Sequence, residues 1–259
     1  MTDAWLRCRR PAHRPSARLV CLPHAGGTAG PYAAWGAGFP DDVELSAVQY
    51  PGREDRLSEP PADDLGTLVA GVCAALLPLT DRPLVLFGHS FGAVVAYEAA
   101  RRMTAWGTPP DHLVVSGRRA PSLPARGDMH TRPDDELVAE LVRLGGTRGE
   151  LLADPAVRAV YLPAVRVDFK LAETYHRPAS PPLACPVTAV MGETDTEVDE
   201  AQARAWAACT TGDFALRTFP GGHFYFTPRR EPVLRLLTDV TRTAAAAGAR
   251  CRTESENLS

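Results

Sequence analysis

A serine between two glycines, Gly88-His89-Ser90-Phe91-Gly92, follows the apolar run Leu84-Val85-Leu86-Phe87 and precedes a helix-forming stretch that continues to Trp106. This G-x-S-x-G arrangement reads as a nucleophile elbow. A strand turns sharply into a helix, the glycines leave room for the turn, and the serine hydroxyl projects from the carboxyl edge of a sheet. The five-residue pattern also arises by chance, so its meaning depends on whether the chain supplies partners for Ser90.

A serine hydroxyl is a weak nucleophile at neutral pH and needs a base. Of the seven histidines, His223 is the best placed. It follows the glycine pair in Phe219-Pro220-Gly221-Gly222-His223-Phe224, at the end of a strand expected over Phe214 to Phe219. The base needs a carboxylate to hold its tautomer and stabilise the imidazolium. Asp195 stands just beyond the strand expected over Pro186 to Met191, with Glu197 and Asp199 as alternative orienters. The chain order Ser90, Asp195, His223 is the order of the α/β-hydrolase fold and differs from the orders in the chymotrypsin and subtilisin folds. His24 and His89 flank the site within tight turns and read as structural or substrate-lining, as does Phe224.

A tetrahedral intermediate carries a negative oxygen, which calls for preorganised N–H donors. The residue after the nucleophile, Phe91, supplies one. The strand Arg18 to Leu22 runs into Pro23-His24-Ala25-Gly26-Gly27, a glycine-rich loop where the second donor is expected, and Ala25 is the candidate. A phosphate cradle at Gly26-Gly27 is the weaker reading, because neither a P-loop lysine pattern nor a G-x-G-x-x-G follows.

From about Leu19 to Phe226 the chain resembles the free-standing type II thioesterases of polyketide and nonribosomal peptide assembly lines. The blocks that carry the resemblance are Leu22-Pro23-His24-Ala25-Gly26-Gly27, Tyr50-Pro51-Gly52-Arg53-Glu54, the elbow with Ala93, Ser116-Gly117-Arg118-Arg119-Ala120-Pro121, Arg166-Val167-Asp168-Phe169-Lys170 leading to Glu173-Thr174-Tyr175, and Gly221-Gly222-His223-Phe224. By this resemblance Ser90, Asp195 and His223 fall on the family's triad, and Ala25 and Phe91 on its oxyanion hole. Thr196 stands where a proline is common, and Tyr225 where Phe is common. The resemblance implies hydrolysis of acyl thioesters from the phosphopantetheine arm of acyl or peptidyl carrier domains, as an editing step. The cofactor expectation is none, since the substrate itself carries the phosphopantetheine, and no metal is expected. The residues alone leave two other readings open: a small-molecule carboxylesterase with the same triad, and a non-catalytic hydrolase-fold receptor.

The rest of the chain is consistent with one α/β domain. Strand and helix patterns alternate, which implies a mostly parallel central sheet with right-handed crossovers and helices on both faces. Residues 1–17 read as a flexible leader, 18–249 as the hydrolase domain and 250–259 as a disordered tail. Between Pro121 and Pro182 the alternation stops, and two helices, Asp134 to Leu144 and Pro155 to Tyr175, read as a lid over the site. Gly145-Gly146 and Arg148-Gly149 would be its joint, and Leu141 and Leu144 would face an acyl passage. A final helix is expected over Val233 to Ala247. No apolar run suits a membrane span or a secretory signal. The six cysteines form no C-x-x-C pair, so reduced thiols in the cytoplasm are expected. Net charge is −3 and Lys170 is the sole lysine, which gives no nucleic-acid footprint. Arg53 with Arg56, and Arg118 with Arg119, are candidate docking cations for an acidic carrier.

Overall fold

Apolar runs without polar alternation must be covered on both faces, and here they build a sheet between two helical layers. The computed structural model describes residues 4–124, 126–146, 149–177 and 180–256, the last six as backbone. Its strands are β1 (Leu6–Arg10), β2 (Ala17–Leu22), β3 (Val43–Val48), β4 (Leu84–His89), β5 (His112–Ser116), β6 (Val187–Gly192) and β7 (Phe214–Phe219). They lie in the order β1-β3-β2-β4-β5-β6-β7, parallel throughout except β1 on β3.

The alternation of side chains along each strand sorts the core into two. Val20, Leu22, Leu84, Leu86, Leu113 and Val115 face α1 (Leu65–Leu76) and α2 (Phe91–Ala105), while Leu19, Cys21, Val85, Phe87 and Val114 face α6 (Glu231–Glu256) and a 3₁₀ segment at Gly30–Gly38. β4 is buried along its whole length, so the elbow at its end is anchored by packing on both faces. Because β2, β4, β5 and β6 run parallel, the loops after Leu22, His89, Ser116 and Gly192 all leave one edge of the sheet.

Between β5 and β6 lie α3 (Asp134–Leu144) and α4 (Pro155–Glu173), where two helices and no strand are expected. They share a small core of Leu137, Leu141, Leu152, Leu162 and Val165. Gly145 terminates α3 in the left-handed region, at φ 85°, a position that favours glycine. Arg148, assigned to the joint by sequence, lies outside the described residues. The short α5 (Glu200–Arg204) precedes a 3₁₀ turn that leads to β7.

Two expectations are corrected. The supposed leader contains β1, whose residues Leu6 to Arg10 pair with β3, and Trp5 carbonyl accepts the Gln49 N–H at 2.8 Å. Three arginines among its five residues hide this strand from a hydrophobicity reading, and as an edge strand it needs only one covered face. The supposed tail begins inside α6, which continues to Glu256 because the run Thr243 to Arg250 is alanine-rich and alanine favours helix.

Deletion of residues 1–11 should therefore lower stability by at least about 2 kcal/mol, the scale of uncovering one large side chain. Trp5, whose ring lies 4.3 Å from the Arg56 guanidinium, would go with it. Urea unfolding checks this, and an unchanged midpoint would restore the flexible leader.

Candidate active site

Ser90 occupies the turn between β4 and α2 at φ 53° and ψ −115°, a strained left-handed conformation for a residue with a Cβ. Its N–H is held by the Ser116 carbonyl at 2.7 Å. Although Ser90 stands at the helix N-cap, its side chain makes no capping bond, so Oγ is left for the cavity. The flanking glycines are required by contact. A Cβ on Gly88 would lie 2.2 Å from Gly92 O, and one on Gly92 would lie 2.0 Å from Leu22 O.

His223 Nδ1 is 3.0 and 3.1 Å from the two Asp195 carboxylate oxygens, and both side chains are shut off from solvent. Asp195 Oδ1 also accepts the Glu197 N–H at 2.9 Å. The two loops are tied together by Thr194 N–H donating to Gly221 O at 2.9 Å. The alternative carboxylates have other partners: Asp199 forms a capping box with Gln202 on α5, and Glu197 pairs with Arg143 at 2.5 Å. Ser90 and His223 line one cavity of about 820 Å³, its open mouth included. Among the described residues no hydrogen bond joins their side chains.

The two candidate donors stand at the same cavity, lined by Ala25 and Phe91. The Phe91 N–H is the first of α2 and has no intrahelical acceptor. The Ala25 loop is held on both sides, by Gly27 N–H to His24 O at 2.8 Å and by Gly26 N–H to Asp168 Oδ2 at 2.8 Å.

His24 and Phe224 line the cavity, with their rings edge-to-face at 4.7 Å. His89 is corrected: it is wholly buried behind the site, 4.8 Å from the His223 ring, and does not line the cavity. Its Nδ1 is hydrogen bonded to Ser116 Oγ at 2.9 Å, which is hydrogen bonded to Tyr225 OH at 2.7 Å. The hydroxyl that distinguishes Tyr225 from Phe thus completes a buried polar chain. Burial, then the charges of His223 and Arg53, draw His24 down to about 3. Burial, then His223 and His24, hold His89 well below the usual histidine range. Both stay neutral, while His223 alone faces a carboxylate.

A further correction concerns Arg53 and Arg56. Both are buried and are unavailable for docking. Arg56 binds Glu59 at 2.6 Å and Gln49 O at 2.8 Å. Arg53 grips Asp168 of α4 with two bonds of 2.6 and 3.1 Å. Burial disfavours its charge, but the Asp168 charge and hydrogen bonds outweigh this and raise it above the ordinary arginine value. This clamp was missed as a site element, although both residues lie in the blocks Tyr50-Pro51-Gly52-Arg53-Glu54 and Arg166-Val167-Asp168-Phe169-Lys170. Gly117, at φ 59°, was missed too: a Cβ there would lie 2.7 Å from the His89 ring and 3.1 Å from the His223 ring.

Helices α3 and α4 supply the opposite wall through Leu141, Leu144, Phe169 and Ala172, with Gly146 close against the Phe224 ring. Arg118, Arg119 and Arg126 also line it. Among the described residues no cluster of side chains suits a metal ion.

A parallel sheet whose carboxyl edge carries a serine elbow, a carboxylate loop and a histidine loop, in that chain order, defines an α/β-hydrolase. Within that class the chain belongs to the thioesterase family, whose domain model matches residues 17–241. It is 45% identical over 229 residues to a probable cadicidin biosynthesis thioesterase of Streptomyces griseus, covering 88% of this chain and 63% of that protein. Its structure is similar to the type II thioesterase BorB from the borrelidin biosynthetic cluster, with TM-score 0.85 and 42% identity, over 92% of this chain and 98% of that one. It is also similar to YbtT, a type II thioesterase from the yersiniabactin NRPS/PKS pathway, with TM-score 0.85 and 31% identity, over 93% and 99% of the two chains.

Asp168→Asn should cost about 3 kcal/mol of stability, because it leaves the buried Arg53 charge uncompensated. The double variant Arg53→Met, Asp168→Leu should recover much of that loss. Urea unfolding of the single and double variants measures it, and equal losses would show that the pair does not act as a unit.

A pH dependence follows from the buried histidines. His24, His89 and His112, the last drawn down to about 4 by burial, all have folded pKa values below the unfolded value. Below a pH of about 6.5 the unfolded chain takes up protons that the folded chain refuses. Stability is therefore fully present above about 6.5 and falls as pH drops toward 4, by up to about 1.4 kcal/mol per pH unit for each histidine. Urea midpoints at pH 7, 6 and 5 should show this fall, and His112→Gln should make it shallower by one histidine's share.

Proposed function

We propose that this chain hydrolyses acyl thioesters held on the phosphopantetheine arm of acyl or peptidyl carrier domains, clearing acyl groups from a polyketide or nonribosomal peptide assembly line. The observation that carries the reading is the two-oxygen seat of Asp195 on His223 Nδ1, in the cavity that Ser90 lines. That seat fixes Nδ1 as the protonated nitrogen and leaves Nε2 as the base. The similarity to BorB and YbtT, type II thioesterases of the borrelidin cluster and the yersiniabactin pathway, supports the assembly-line context.

In the proposed cycle Ser90 Oγ attacks the thioester carbonyl as His223 Nε2 takes its proton, and Asp195 stabilises the imidazolium. The oxyanion accepts hydrogen bonds from the Ala25 and Phe91 N–H groups, reinforced by the positive end of α2. The C–S bond breaks, and the proton on His223 passes to the departing thiolate. Water then attacks the acyl-serine as His223 takes its proton, the ester C–Oγ bond breaks with that proton passing to Ser90 Oγ, and the free acid leaves. The side chains of Ser90 and His223, unbonded here, come together when the acyl group seats. The reaction uses no cofactor or metal beyond the arm that the substrate brings. No helix among the described residues is long and apolar enough to cross a membrane, and the proposed place of action is the cytoplasm, where carriers are met.

Ser90→Ala should cut kcat/KM for a carrier-bound acyl group by about 10³-fold or more without altering the circular dichroism spectrum. Asp195→Asn should lose about 10⁴-fold. Asp199→Asn should stay within a few-fold of the parent, because asparagine also caps a helix. A larger loss at Asp199 would transfer the orienting role. Comparing one acyl chain as carrier-bound thioester, free thioester and ethyl ester separates this reading from a carboxylesterase. Failure of a fluorophosphonate to label Ser90 would favour a non-catalytic receptor.

A further inference from the structure

Arg118, Arg119 and Arg126 stand in the same cavity wall as Ser90 and His223, and their surroundings differ from those of the buried arginines Arg53 and Arg56. Arg53 and Arg56 each have a carboxylate at 2.6 Å. Among the described residues none of the three cavity arginines has an ion pair within 4.0 Å. Arg118 is half-buried and makes one side-chain bond, from Nη2 to Ala172 O at 2.6 Å near the end of α4. Arg119 makes one long bond, to Glu197 O at 3.4 Å. Arg126 is exposed.

Two carboxylates lie in the wall, and both are engaged elsewhere. Glu173 accepts from the Met129 and His130 N–H groups at 3.0 Å and from His130 Nδ1 at 2.6 Å. Glu197 pairs with Arg143. They favour the Arg118 charge from a distance, but desolvation, followed by the like charge of Arg119, draws Arg118 down to about 10. Desolvation, followed by Arg126, also lowers Arg119. Crowded cations in a partly dry wall carry an electrostatic cost that an incoming anion would relieve. Guanidinium forks are suited to hold such an anion through two hydrogen bonds. The remainder of the wall, Leu141, Leu144, Phe169 and Phe224, accepts hydrocarbon.

We propose that Arg118 and Arg119, with Arg126 at the edge, form a subsite for an anionic oxygen group carried by the substrate. Two parts of a substrate have this chemistry: a terminal carboxylate on the acyl group and the phosphate of the arm. The proposal rests on the reading that this cavity receives the thioester.

Binding to the uncleaving Ser90→Ala form tests it by calorimetry, with glutaryl and hexanoyl thioesters of pantetheine and of 4′-phosphopantetheine as ligands. Adding Arg118→Met, or Arg119→Gln should the first variant release α4, is expected to raise Kd about tenfold for anion-bearing ligands. Hexanoyl-pantetheine, with neither anion, should change less than about threefold. Weakening confined to the glutaryl ligands assigns the subsite to an acyl carboxylate. Weakening confined to the phosphopantetheine ligands assigns it to the phosphate, and both together assign it to either anion. Equal weakening of all four, or of none, overturns the subsite. Hydrolysis by the parent protein is scored separately: turnover with no anion effect sinks the subsite alone, whereas no turnover of any thioester sinks the thioesterase reading whatever the Kd values are.

Discussion

The buried pair of Arg53 and Asp168 joins three parts of the chain that are distant in sequence. Arg53 follows β3, Asp168 lies on helix α4, and Asp168 accepts a third hydrogen bond from Gly26 N–H in the loop after β2. Arg53 Nη1 also reaches Gly27 O at 3.4 Å, and Gln49 closes the set by donating to Arg53 O and accepting from Ala29 N–H. Two charges withdrawn from water contribute little net stability even when well paired. What they contribute here is geometry: Ala25, next to Gly26, cannot move without breaking a charged hydrogen bond. The proposed oxyanion donor is thereby referenced to α4, whose Phe169 and Ala172 line the same cavity.

Charge is distributed differently around the histidines. Three imidazoles lie together, with His89 about 6.0 Å from His24 and 4.8 Å from His223, yet only His223 has a carboxylate within hydrogen-bonding reach. Burial keeps its neighbours neutral, so they supply shape and dipole without a competing positive charge beside an imidazolium. The chain from His89 through Ser116 to Tyr225 gives the ring a fixed orientation, and the Ser116 carbonyl simultaneously holds the Ser90 N–H. One strand end thus supports both the elbow and the wall behind the base.

The inner strands were legible because burial on both faces keeps their centres apolar, and Val43–Val48 and His112–Ser116 occur where expected, as does the partly exposed edge strand Phe214–Phe219. The seat of Asp195 on His223 was legible from the position of each residue just past a strand end. What stayed hidden depends on contacts between distant segments. Edge strand β1 is five residues long and three of them are arginine, so its brief alternation is too short to stand out from a charged segment. Arg53 and Arg56 look like surface cations until the fold brings Asp168 and Glu59 to them, and charge alone does not reveal burial. His89 looks like a lining residue from its adjacency to Ser90, but strand alternation turns its side chain to the opposite side.

The glycine at position 92 has a consequence for how such an enzyme can change. With no side chain between them, the backbone of the elbow rests on the backbone at the end of β2, so the spacing from nucleophile to oxyanion loop is set by main-chain dimensions common to every sequence. Substitutions elsewhere in the core can alter how firmly that spacing is held but cannot tune its length. New acyl preferences must therefore be written into the far wall, on α3, α4 and the arginines after β5, while the reacting edge stays as it is.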